Sequence, residues 1–251
     1  MKLHLLEIFV AVGLMTGAVQ AADVKVFAAA AMNGPFKELM PQYERATGNK
    51  VTVEYASSPQ TTKKVESGEP FDMVVTTFAE EVLKDPVRNG HFKASPRPLL
   101  ASSGLGAAVR AGLPKPDIGS ADAFKQALIQ AKSVALLPES LNGKHFLGVF
   151  QKLGIADAMN AKLKAQKATN EVAEAVAKGE ADMGLHVANL LVGIPGVDYV
   201  GPVPAEFQQT LTFTAAIGVK AKEPAAAEAL IKYLSTADAA AVMRKYGLQT
   251  P

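Results

Sequence analysis

The hydrophobic positions of this chain switch repeatedly between a two-residue and a 3.6-residue period. Residues 24–27 read as a short buried strand, 51–55 alternate as a strand, and 72–75 form a third short apolar run. Between the first two, Phe36, Leu39, Met40 and Tyr43 recur at helical spacing, predicting a helix over 36–47 that Gly48-Asn49 ends. Residues 61–67, stopped at Gly68, and 78–88 read as the next two helices. The rhythm repeats about every 20–27 residues, as consecutive βαβ units of a parallel sheet do.

A break follows at Ala94-Ser95-Pro96-Arg97-Pro98, an extended crossing segment. Beyond it, strands are predicted over 105–109, 133–137 and 182–186, and helices over 121–131, 145–153 and 171–178. Gly201-Pro202-Val203-Pro204 reads as a second crossing, followed by a strand over 210–219 and helices over 224–234 and 237–245. Two crossings imply an α/β chain with a discontinuous first lobe, residues 22–98 and 208–251, and an inserted second lobe, residues 99–207. Paired crossings can act as a hinge.

The first 21 residues fall outside this pattern. Lys2 supplies positive charge, 5–15 is an apolar stretch, and Val19-Gln20-Ala21 suits cleavage before Ala22. The expectation is an exported, periplasmic protein. No apolar run reaches the roughly 18 residues a membrane span needs. About 230 residues then remain, enough for two lobes of about 100 each. The absence of cysteine excludes disulfides, thiolate chemistry and cysteine metal sites, and removes the anchor residue of a lipoprotein.

Net charge is only +2, and the basic residues are scattered, with Lys63-Lys64 and Arg244-Lys245 the adjacent pairs after the leader, which argues against a nucleic-acid partner. With no tryptophan and 6% aromatic residues, a sugar platform or quaternary-amine cage is not expected. There is no Gly-x-Ser-x-Gly or Ser-x-x-Lys sequence, and His91, His145 and His186 lie in no His-Glu-x-x-His arrangement. The carboxylates are dispersed, so a binding protein is expected and not an enzyme, with no resident cofactor or metal. Gly104-Leu105-Gly106 is only a fragment of a phosphate loop.

Several segments together resemble a known family. They are Val26-Phe27-Ala28-Ala29-Ala30, Thr47-Gly48 with Val51, Tyr55-Ala56-Ser57-Ser58, Val65-Glu66-Ser67-Gly68-Glu69-Pro70-Phe71-Asp72, and Arg244-Lys245-Tyr246-Gly247-Leu248. In order and spacing the chain resembles the periplasmic molybdate-binding proteins of ABC importers, a branch of the type II periplasmic binding proteins. The resemblance implies two α/β lobes, each a mixed, mostly parallel sheet flanked by helices. It also implies a molybdate-like oxyanion in the cleft, held by serine hydroxyls and helix-start amides, and a monomer that delivers it to a membrane permease. Aligned amide dipoles can hold a buried dianion without salt bridges.

The resemblance carries the site onto Ala31 and Met32, Ser57 and Ser58, Gly143, Val172 and Val187. Ala31 replaces a serine and Val187 a tyrosine, so two of three side-chain hydroxyls are missing. Lys144, His186, Asn33 and Asn142 lie at matching loops as replacement donors, and Lys144 and His186 would add positive charge. That substitution points to a different anion, a small organic carboxylate. The alternatives are a module that presents its ligand to a membrane sensor, and an exported hydrolase. Structural readings stand beside these: Ser57-Ser58-Pro59 is also an ordinary helix entry, Lys144 a solvated lysine, His186 a satisfied core histidine, Asn170 a helix cap, and Arg97 a hinge residue.

Overall fold

The computed structural model describes residues 21–77, 90–94 and 97–251. The leader, the helix expected over 78–88 and the Ser95-Pro96 pair lie outside the described residues. Strand β1 (Asp23–Ala29) runs through a 3-10 turn, Ala30–Met32, into helix α1 (Asn33–Thr47). The four residues whose spacing predicted α1 form its buried face, and Gly48 closes it at φ 77°, a left-handed conformation that glycine adopts without penalty. β2 (Lys50–Ala56), α2 (Ser58–Glu66) and β3 (Met73–Thr76) follow. Then come β4 (Leu99–Ser103) and β5 (Leu105–Arg110).

The middle of the chain forms α3 (Ala121–Gln130), β6 (Val134–Leu136), α4 (Leu141–Lys152), α5 (Ala156–Asn160) and β7 (Leu163–Ala165). It continues through α6 (Glu171–Ala177), β8 (Met183–Val187) and β9 (Val197–Pro202). β10 (Leu211–Ile217), α7 (Pro224–Leu234) and α8 (Ala237–Lys245) complete it.

Two five-stranded sheets result, ordered β2-β1-β3-β10-β4 and β7-β6-β8-β5-β9. Each has three parallel strands at one side and two antiparallel strands at the other. The parallel pairs are joined by helical crossovers, which parallel geometry requires. Both sheets are flanked by helices, giving the two-lobed α/β architecture.

Residues 99–103 depart from the expected division. They form β4 and pair with β10 in the first sheet, so the chain changes sheets at Gly104 and not at 94–98. Arg97 lies before this crossing and places its guanidinium 5.4 Å from the centre of the Phe92 ring, inside the first lobe. The return crossing runs from the end of β9 to β10, just beyond Gly201-Pro202. Gln208 ties the two crossings together. Its Oε1 accepts from the Leu105 N–H, and its Nε2 donates to the Leu105 and Val203 carbonyls at 3.1 and 3.3 Å.

Asp72 is a buried carboxylate, only 4% exposed. It accepts from the backbone N–H groups of Lys25 (2.8 Å), Lys222 (2.7 Å) and Glu223 (2.9 Å), pinning the start of α7 to the first sheet. Asp72→Ala strands three donors, each bound to a charged acceptor, and is expected to cost about 3 kcal/mol or more. Urea unfolding checks this, with Asp72→Asn retaining part of the loss.

Candidate functional site

Loops at the ends of the parallel strands face one another across the gap between the lobes. The first lobe contributes Ala29–Ala31, after β1, and Ala56, Ser57 and Pro59, around the start of α2; the second contributes Leu137, Ser140, Leu141, Asn142, Thr169 and His186–Val187. They enclose an inner pocket of about 40 Å³. It shares Ala30, Ala31, Ser57, Ser140 and Thr169 with a wider cleft of about 1070 Å³. Crevices at strand ends where sequence order reverses are the usual ligand sites of open α/β sheets.

The pocket floor is held by a continuous hydrogen-bond chain in the second lobe. The Gly143 N–H donates to Ser140 Oγ at 3.0 Å, capping α4. Ser140 Oγ lies 2.8 Å from the Leu137 carbonyl and 3.0 Å from Asn142 Oδ1. Asn142 Nδ2 donates to His186 Nδ1 at 3.0 Å, and His186 Nε2 donates to the Thr169 carbonyl at 3.2 Å. This assignment gives one neutral tautomer, because Asn142 Nδ2 is a donor only and the Thr169 carbonyl an acceptor only. Burial lowers the His186 pKa to about 4, against a small opposing effect of the Thr169 bond.

These contacts sort the expected site residues. Ala31, Ser57, His186 and Val187 line the inner pocket. Ala31 and Val187 present apolar surface where hydroxyls are missing. Ser57 caps α2, with Gln60 Oε1 accepting from its N–H at 3.1 Å. Ser58 is the first residue of α2. Lys144 stands exposed at the wide cleft, and Asn33 lines the same space.

Five of the expectations change. The Gly143 amide is spent on its cap. Asn142 is spent on His186. His186 is uncharged at neutral pH and brings no positive charge to the pocket. Met32 and Val172 are fully buried and line neither space, because Met32 faces the main core and Val172 packs against Gly184 in a second one. Val172's neighbours Thr169, Asn170 and Ala173 line the cleft instead.

Two functional residues escaped the sequence reading. Ser140 is legible only as a cap before Leu141. Asn189 has no sequence signal beyond being polar within an apolar run. It is 7% exposed, and its Nδ2 donates to the Ala31 carbonyl at 2.8 Å, joining the second lobe to the first beside the pocket.

Charge in the wide cleft comes from Lys37, Lys63, Lys144 and Lys167, against Glu139 and Glu174. Glu174 is engaged by Asn170 and by Lys178 at 3.4 Å, and Lys245 by Glu38 at 2.8 Å. No group of three or more histidine or carboxylate side chains suited to a metal ion occurs among the described residues.

Residues 24–249 match the family model of bacterial extracellular solute-binding proteins. The chain belongs to that family. It is 34% identical to the aconitate isomerase of a Pseudomonas species, over 89% of this chain and 86% of that protein. It is 27% identical to the molybdate-binding protein ModA of Azotobacter vinelandii, over 98% and 97% respectively. The solved structure of the Azotobacter vinelandii periplasmic molybdate-binding protein superposes with a TM-score of 0.75, at 20% identity, covering 91% of this chain and 99% of that one.

Proposed function

We propose that the interlobe cleft receives a small organic anion carrying more than one carboxylate. In this reading the protein is exported through a leader cleaved before Ala22, closes its two lobes on the anion in the periplasm, and hands it to an ABC-type permease. Contacts to both lobes form only when the cleft shuts, so the ligand shifts the population toward the closed form.

One observation carries the reading: of the side-chain donors lining the inner pocket, Ser57, Ser140, Asn142 and His186 are engaged within the protein itself, and the Thr169 hydroxyl alone has no partner among the described residues. A tetrahedral oxyanion held by neutral donors needs several open N–H and O–H groups converging on it. Here the Gly143 amide, Asn142 and both nitrogens of His186 are engaged, and Ala31 and Val187 offer none at their side chains. The Ser57 hydroxyl is engaged as well, donating to Gln60 Oε1 at 3.1 Å. Positive charge sits on long, mobile lysines around the wide cleft, which can reach carboxylates several bonds apart. The relative named aconitate isomerase supports the same ligand chemistry, since aconitate is an unsaturated tricarboxylate.

Protein stripped by unfolding and refolding should be titrated with aconitate, citrate, molybdate, tungstate and sulfate. A ligand at 100 times its Kd stabilises by about 2.7 kcal/mol, a readily measured rise in Tm. The tricarboxylates are expected to produce it and molybdate is not. Tight molybdate binding with no response to carboxylates would reverse the reading.

A second reading is that the same site isomerises its ligand. It is favoured by the 34% identity and by Glu139, a cleft carboxylate with no hydrogen-bond partner among the described residues. A proton-shift isomerisation needs a base that removes a proton and returns it at another carbon. Proton NMR of aconitate incubated with the protein decides between binding alone and turnover, and Glu139→Gln should abolish turnover while leaving measurable binding.

A further inference from the structure

We propose that Leu141 and Tyr55 select a ligand with a hydrocarbon body, closing on it from opposite lobes. The proposal rests on the organic-anion reading and adds which part of the ligand is recognised apart from its charge.

Large hydrophobic side chains exposed among the described residues are Tyr55, Leu99, Leu113, Ile129, Leu141 and Val219. Leu141, 41% exposed, lines the inner pocket, and Tyr55, 36% exposed, lines the wide cleft; the other four line neither space. Leu141 is the first residue of α4, in the second lobe. Tyr55 lies near the end of β2, in the first. Leu141 thus faces the inner pocket from one lobe and Tyr55 the adjoining wide cleft from the other, and the two spaces share lining at Ala56, Ser57, Ser140 and Thr169.

An inorganic oxyanion gains nothing from such groups, because it has no apolar surface to remove from water. A chain of CH₂ or vinyl carbons between carboxylates does gain, in proportion to the area covered. The Tyr55 phenol is neutral near pH 7 and adds no negative charge to repel an anion, and burial pushes its pKa further up, to about 12. Lys63 lines the cleft from the first lobe and Lys144 from the second. Both lobes thus offer the same pairing, a cation for a carboxylate and an apolar surface for the carbons that join carboxylates.

The test is calorimetric titration of the full-length mature protein with aconitate, and with sulfate as a hydrocarbon-free anion. Leu141→Asn and Tyr55→Ser are each expected to weaken aconitate binding at least tenfold and to leave any weak sulfate binding unchanged. Leu113→Asn, equally exposed but outside the cleft, should bind as the parent does. Leu141→Asn alters an exposed position, and circular dichroism melting checks that every variant is folded. If the parent binds no organic carboxylate, the ligand reading itself falls and this proposal with it. If the parent binds aconitate and both cleft variants bind equally well, or Leu113→Asn weakens binding as much, only the selection by Leu141 and Tyr55 is overturned.

Discussion

Gly143→Ala is expected to destabilise the protein by about 3 kcal/mol or more, although alanine is normally the better helix former. A Cβ at Gly143 would stand 1.8 Å from the Leu137 carbonyl oxygen, 2.7 Å from the Leu137 carbonyl carbon and 2.9 Å from Pro138 Cα. All three are backbone atoms, so no side-chain rotation relieves the clash. The 137–138 loop must move, and with it the Ser140 cap and the pocket floor. Gly148 provides the control in the same helix, since a Cβ there meets nothing within 4 Å. Gly148→Ala should therefore stabilise, by up to about 1 kcal/mol. Urea unfolding of the two variants should give shifts of opposite sign. Two shifts of the same sign would mean that the start of α4 does not press on residues 137–138.

Acidification is expected to remove about 2 kcal/mol of stability between pH 7 and pH 5 through His186 alone. The folded-state pKa is about 4, below the ordinary value of 6.5. Above pH 6.5 the ring is neutral both folded and unfolded, and the contribution is fully present. Below 6.5 the unfolded chain takes up a proton that the native site refuses until about pH 4. Stability therefore falls as pH drops through that window, reaching a total of about 3 kcal/mol near its lower end. His186→Gln has no imidazole to titrate. Its stability at pH 7 should be lower, because Asn142 or the Thr169 carbonyl loses a well-matched partner. Its loss between pH 7 and pH 5 should be smaller than the parent's by about 2 kcal/mol. Equal pH slopes in chemical denaturation would show that His186 is not held neutral by burial.

The strands and helices with strong periodicity were legible to within a few residues, their starts least well: α1 begins at Asn33 and not Phe36, and α4 at Leu141 and not His145, which puts Gly143 inside a helix. α1 buries the four positions its spacing marked, and α7 and α8 carry the bounds their patterns predicted. Of the four edge strands, β2 was legible and the other three were not. β4 has exposed Leu99 and two serines, β9 holds Gly201 and Pro202, and β7 has three residues. Edge strands bury less and tolerate proline, so their sequences carry little alternation. Missing β4 moved the expected first crossing away from Gly104.

The site was legible as a set of loops and illegible as a set of free donors. Ala31, Ser57, His186 and Val187 meet at one pocket as their loop positions implied. Which N–H groups are open depended on partners distant in the chain. Asn142 and His186 are 44 residues apart, and Ala31 and Asn189 are 158 apart. Helix phase decided that Ala173 and Glu174 line the cleft while Val172 faces the core.

Periodicity and chain punctuation are local properties, and they sufficed to mark an α/β chain of two lobes; the expectation of an anion between them came from the family resemblance. Tertiary structure alone decided that the pocket histidine is neutral, that the Gly143 amide is already bonded, and that each lobe offers the gap an exposed apolar side chain. Those facts depend on burial and on long-range hydrogen bonds, which exist only once the two sheets are assembled.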